Sequence, residues 1–110
     1  MKSNKAKGDY YRRKTVKYME DLGYQVATIE KLQRCFIKGR PIFLKKDVFG
    51  ADLLAMNSEK IIFVQVKFSS EGKFSVSTVK KEFDKYTFAP FVEKWLVMWV
   101  PRKKPNIKIL

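Results

Sequence analysis

The chain has no histidine and a single cysteine, Cys35, in 110 residues. The first absence excludes imidazole acid–base chemistry and His-ligated zinc. The second excludes an intramolecular disulfide and a thiolate-built zinc site. Cys35 reads as a small packing residue, and such cysteine usage fits a reducing cytoplasm. Acidic residues are also scarce: 11 Asp and Glu stand against 24 Lys and Arg, a net charge of +13. That excess argues against an acidic mimic and points to a polyanion, nucleic acid before anionic membrane. Long apolar runs are missing; the longest, Trp95 to Val100, is far short of a membrane span. The basic start, Met1 to Lys5, leads into no apolar segment, so it does not read as a signal peptide. There is no internal repeat and no linker rich in Gly, Ser or Pro. Residues 1–110 are therefore expected to form one domain, with a basic, flexible stretch at 1–6.

What is present is enough for a core. Apolar residues make up 45% and aromatics 15%, and a chain of this length buries roughly two-thirds of its unfolded surface. Tyr11, Thr15, Tyr18, Met19 and Leu22 recur at three- and four-residue steps, which predicts a helix over 5–22, with Gly23 as its stop. Residues 24–29 alternate and read as a strand. Gly39, Arg40 and Pro41 mark a turn before a short strand at 42–44, and residues 47–50 read as a turn or bulge. Two apolar runs, Leu53 to Met56 and Ile61 to Val64, flank the polar Asn57-Ser58-Glu59-Lys60 and form a hairpin. Both of its faces are apolar, so it belongs inside a sheet covered on two sides. Further on, 73–77 reads as a strand, 78–89 as a helix with Val79, Phe83, Tyr86 and Phe88 inward, 93–100 as a strand, 101–105 as a basic turn and 107–110 as a last strand. The Trp95 to Val100 run is read as buried sheet in preference to a dimer contact.

The hairpin carries the chemistry. If Met56 pairs with Ile61, Leu53 lies opposite Val64 and Asp52 opposite Gln65, where paired Cβ atoms are about 4.5–5.5 Å apart. Lys67, two residues beyond Gln65, points to the same face. A slip of one residue would destroy the arrangement. Alone, each residue has an ordinary structural reading: a strand cap, a satisfied amide, an edge charge. Together they supply a hard carboxylate oxygen, a neutral carbonyl oxygen and a cation, with the main-chain carbonyl of Val66 as a further oxygen. Lys67 is suited to orienting an attacking water or offsetting charge on a phosphate. Metal-assisted phosphodiester hydrolysis needs no histidine.

Gly50-Ala51-Asp52, the apolar strand, the turn and Val64-Gln65-Val66-Lys67 resemble the core of the PD-(D/E)XK nuclease superfamily, with Gln65 where Glu or Asp is usual. The chain is similar to archaeal and phage Holliday junction resolvases in being short and basic, in its Lys7-Gly8 helix start and in the thirteen-residue step from Asp52 to Gln65. The resemblance implies an α/β, restriction-endonuclease-like fold: a mixed central β-sheet flanked by α-helices. It implies a Mg2+- or Mn2+-dependent endonuclease acting on branched DNA, in which Asp52, Gln65 and Lys67 are catalytic and Asp52, Gln65 and the Val66 carbonyl hold the metal. A homodimer is implied because a junction presents two symmetric strands. The expected location is the cytoplasm, or a host cell's cytoplasm for a viral protein. The chain departs from the resolvase pattern at Arg12, where a helix Glu is usual, and at Ala51, where Pro is usual. Asp47 reads first as a turn former and second as an extra ligand or water-positioning acid, with Glu20 and Asp9 behind it. The departures motivate an alternative, a DNA-binding module on the same fold. A nuclease acting on other DNA forms is a third class.

Basic residues cluster in three places. Residues 1–17 include Lys5, Lys7, Arg12 and Arg13; residues 31–46 end in Lys45 and Lys46 and contain no acid; residues 102–108 add Arg102, Lys103, Lys104 and Lys108. Such clusters neutralise phosphates and make binding salt-sensitive. Lys5, Lys7, Arg12, Arg13, Lys45 and Lys46 are the expected DNA contacts. No pattern encodes base readout, so recognition of DNA shape is expected. Tyr10 and Tyr11 read as core residues more than as base-stacking platforms.

Overall fold

The computed structural model describes the backbone of residues 4–29, 31–46 and 48–110, and the side chains of residues 7–29, 38–41 and 48–110. Asp47, one of the expected site residues, lies outside the described residues, as do the side chains of Lys5, Cys35, Lys45 and Lys46.

The first helix, α1 (Asn4–Asp21), buries Thr15 and Met19 completely. Its end follows from Gly23, at φ 97°, which lets the Tyr24 N–H turn back to the Met19 carbonyl at 3.1 Å. Leu22, expected on the inward stripe, instead sits in this terminal turn and is half exposed. The strands are β1 (Gln25–Thr28), β2 (Lys31–Ile37), β3 (Arg40–Lys46), β4 (Leu53–Met56), β5 (Ile61–Phe68), β6 (Val92–Trp99) and β7 (Asn106–Ile109), with α2 (Val76–Asp84) between β5 and β6. Five strands form a mixed sheet in the order β1-β4-β5-β6-β7, and β2 and β3 form a separate hairpin. The sheet is antiparallel except where β5 meets β6, the pair that α2 connects.

The β4–β5 register is the expected one, Met56 opposite Ile61 and Leu53 opposite Val64. Asn57 closes the turn, its Oδ1 accepting the N–H groups of Glu59 at 2.8 Å and Lys60 at 2.9 Å. β5 is the middle strand, and its alternation serves two cores. Ile62, Val64 and Val66 pack with Met19, Trp95, Val97 and Trp99 on the α1 side. Phe63 packs with Val79, Phe83 and Leu96 on the α2 side. Two covered faces explain why β5 is apolar at nearly every position.

Three expectations are corrected. The turn in 30–46 is Lys38-Gly39, both at positive φ, and strands run on each side of it; Pro41 stands inside β3, opposite Phe36. A two-stranded ladder has open outer edges, so the missing proline N–H is tolerated there. Residues 73–77 are not a strand: α2 starts at Val76, because Val76, Val79 and Phe83 recur at helical steps and are packed against the sheet. The same helix ends at Asp84, not 89, and Phe88 returns to pack edge-on against Phe63, ring centres 5.1 Å apart.

Candidate active site

The approach to the site is a tight turn. Val48 and Ala51 exchange both main-chain hydrogen bonds, each 3.0 Å, and the residues between them, Phe49 and Gly50, lie at φ 52° and 81°. Two successive positive φ values are the mark of the primed two-residue turn. Gly50 is required for a second reason: a Cβ there would stand 3.2 Å from the Phe83 ring and 3.5 Å from the Glu82 main chain. α2 thus rests directly on the backbone that precedes Asp52.

Asp52 follows as a bend, not as a further rung of the ladder. The β4–β5 pairing stops at Leu53–Val64, so the expected direct pairing of Asp52 with Gln65 is replaced by a closer splice. The Asp52 N–H donates to the Val64 carbonyl at 2.9 Å, its carbonyl accepts from Ile29 at 3.1 Å, and its carboxylate Oδ2 accepts the Val66 N–H at 3.1 Å. The tight turn just before Asp52 bends the strand, and the side chain takes over a contact that main chain would otherwise make. Asp52 is 5% exposed and Gln65 6%.

Gln65 lies on the α2 side of β5. Its amide Oε1 is buried and has no hydrogen-bond partner, a state that costs about 1–3 kcal/mol unless a partner is supplied. Gln65 and the exposed Lys67 line a cleft of about 250 Å³, together with Gly50 and with Thr78, Val79 and Glu82 of α2. Asp52 is not among the lining residues; it is buried and joined to β5 through Val66, the residue next to Gln65. Thr78 and Glu82 were not anticipated from sequence. The available signal was their i, i+4 spacing, which puts two polar side chains on one side of a helix whose Val79 and Phe83 face inward. The Glu82 carboxylate also accepts a hydrogen bond from Lys85 at 3.0 Å, which raises the Lys85 pKa.

A divalent cation is compatible with this donor set. Every available donor is an oxygen, the preference of a hard cation, and the partnerless Gln65 Oε1 is an acceptor one residue along β5 from the group that anchors Asp52. No group of three or more His, Cys, Asp or Glu side chains comes together among the described residues, so a metal would draw on Gln65 and main-chain oxygens beside Asp52. The other expected residues are dispersed. Arg12, in the helix position where resolvases usually carry Glu, is half-buried, forms an ion pair with Asp9 and folds over Gly8. Arg13 and Glu20 are exposed, and Lys7 is half-buried beside Tyr10 and Tyr11. Tyr11 stacks on Phe68 at 5.0 Å, as a core residue should.

No protein-family model matches the chain, and no curated protein matches it in sequence. Solved structures do match. The fold is similar to that of Hjc, a Holliday junction resolvase from the archaeal hyperthermophile Archaeoglobus fulgidus, with a TM-score of 0.63 and 14% identity over 89% of this chain and 72% of that one. At that identity the likeness is one of architecture. The mixed five-stranded sheet with its two helices is thus the α/β fold of an archaeal Holliday junction resolvase.

Proposed function

We propose that this chain is a metal-dependent DNA endonuclease of the resolvase type, hydrolysing phosphodiester bonds in branched DNA. The observation that carries the reading is the meeting of Gln65 and Lys67 in one cleft, with the Asp52 carboxylate bonded to the N–H of the residue between them. The resolvase-like fold and the +13 net charge support it. Asp52, Gln65 Oε1 and the Val66 carbonyl would hold Mg2+ or Mn2+. When bound, such an ion supplies a water of lowered pKa and offsets phosphate charge. Lys67 reaches solvent at the cleft mouth, where its ammonium attracts the phosphate and hydrogen-bonds the attacking water. Thr78 and Glu82 form the opposite wall and limit how the backbone can enter. In this reading the protein works in the cytoplasm, as a homodimer. The exposed Phe49 and Tyr86, ring centres 5.4 Å apart, support the dimer, since adjoining large apolar groups suit burial against a second copy.

The test is nicking of a labelled four-way junction with Mg2+, beside linear duplex, flap and single-stranded DNA. Nicking that is lost in Asp52→Ala and Lys67→Ala supports the assignment; wild-type rates in both would falsify it. Cutting of linear duplex as fast as the junction would remove the branched substrate and leave the nuclease.

A second reading, a DNA-binding module on the same fold, is favoured by the Arg12–Asp9 ion pair where a helix Glu is usual and by the neutral Gln65. Calorimetric titration with Mg2+ and Mn2+ separates the two. Tight junction binding with no metal uptake and no nicking selects the module.

A further inference from the structure

Among the described side chains, a concentration of charge that the proposed chemistry does not use lies on the other side of the sheet. Lys14, Tyr18, Trp99, Arg102, Lys103, Lys104 and Pro105 line an open groove of about 480 Å³ with no acidic side chain among them. Lys14 is held in place by aromatic rings, its Nζ 4.6 Å from the Trp99 ring centre and 5.3 Å from that of Tyr10. The three basic residues ride on a turn closed by the Lys103 N–H and the Val100 carbonyl at 3.2 Å. Pro101 takes its second position and Arg102 its third, at φ 64°, where glycine is the favoured residue. A long cation held in left-handed backbone at an exposed tip is a strained choice, and such strain clusters at functional positions. Past Lys14 the surface continues to a second depression lined by Lys7, Tyr10, Tyr11 and Pro101. Lys7 and Lys14 are two helical turns apart, about 10 Å along α1.

The position of this groove matters. Trp99 belongs to the α1-side core, whereas Val79, in the Gln65–Lys67 cleft, belongs to the α2-side core. Phe68 pairs with Trp99 at the end of the parallel strands, one residue beyond Lys67. The cleft and the groove are thus back to back, on opposite faces of the same end of the sheet.

We propose that Lys7, Lys14, Arg102, Lys103 and Lys104 bind the phosphate backbone of a second duplex arm, distinct from the arm whose phosphate enters the Gln65–Lys67 cleft. Straight duplex can occupy one face at a time; a branched molecule straddles the sheet end and occupies both. This rests on the DNA reading above and not on catalysis.

The experiment is equilibrium binding without divalent metal, using a labelled four-way junction and a linear duplex of one arm's sequence over a series of salt concentrations. The variants are K103E/K104E and Arg102→Gly, the second keeping the favoured residue for that φ. Thermal melting and, if the chain nicks, the linear-duplex rate show that both remain folded. The expected result is tenfold or greater loss of junction affinity in K103E/K104E, with linear-duplex affinity nearly unchanged. The junction salt slope should fall by about 0.9 for each phosphate contact removed. Arg102→Gly should lose less affinity while melting no lower than wild type. Junction affinity and salt slope unchanged in K103E/K104E would overturn the proposal, and so would an equal loss for junction and linear duplex. Because nicking is not the readout, a wild-type protein that binds junctions by both faces but never cuts would leave this inference standing and remove the endonuclease.

Discussion

The carboxylate Oδ2 of Asp52 accepts the main-chain N–H of Val66 at 3.1 Å, across the point where the β4–β5 ladder stops. One side chain therefore completes the sheet and, in the proposed mechanism, also supplies the anionic oxygen. Asp52→Asn keeps a carbonyl oxygen for the Val66 N–H and removes the charge. Its expected outcome is near-wild-type melting with nicking reduced to background. Asp52→Ala should in addition lower stability by about 1–3 kcal/mol, because a buried donor is orphaned. Chemical denaturation beside a junction-nicking assay separates the two effects.

Gln65 leads to a gain-of-function prediction. Its buried Oε1 lacks a partner, and glutamate has the same length with a charged oxygen. Gln65→Glu should bind Mg2+ or Mn2+ more tightly, read by calorimetry. Without metal it should lower stability, since a buried carboxylate has no compensating cation. Lower metal-free stability that is restored on adding Mg2+ is the expected signature.

Thr15 ties α1 to the sheet. Its hydroxyl donates to the Tyr11 carbonyl at 2.7 Å and accepts from the Trp99 indole Nε1 at 2.7 Å, and both Thr15 and Trp99 are buried. Thr15→Val preserves shape and leaves the indole N–H unpaired. A loss of about 1–3 kcal/mol is expected in urea denaturation, with junction binding intact.

Glu93 predicts a pH dependence far from the site. Its carboxylate accepts from the Trp95 indole at 2.8 Å and from Lys60 at 3.3 Å, and these bonds hold its pKa below the ordinary 4.5. The Glu93 partnership raises the Lys60 pKa above 10.5. A depressed acid stabilises the fold above its unfolded pKa and loses that contribution as pH falls through the folded value. A raised base contributes below its unfolded pKa and is lost as pH climbs through its folded value. Glu93→Gln should therefore flatten the acid limb of melting temperature below about pH 4.5, and weaken the alkaline limb where Lys60 titrates.

The β4–β5 hairpin was legible because local signals agreed: two apolar runs, a four-residue polar turn led by Asn57, and a register with one pairing that buries both strands. The strand β2 was not, since Lys31-Leu32-Gln33-Arg34-Cys35-Phe36-Ile37 follows neither helical nor strict strand periodicity and Pro41 reads as a breaker. Residues 73–77 misled in the opposite sense, because Phe74 and Val76 alternate while Val76 in fact begins the stripe completed by Val79 and Phe83. The acid, amide and amine of the candidate site could be singled out because they are close in sequence. Thr78 and Glu82 could not, because only the docking of α2 brings them to β5. The Asp52 bend was hidden too, as it follows from the shape of the preceding turn.

That docking has a mechanical corollary. The Phe83 ring stands 3.2 Å from where a methyl group on Gly50 would be, so helix and turn share one seam with no slack. Displacing α2 outward would open the space above Gln65 and remove the support of the turn that precedes Asp52. Trimming Phe83 is thus a way to retune the aperture from behind without substituting Asp52, Gln65 or Lys67.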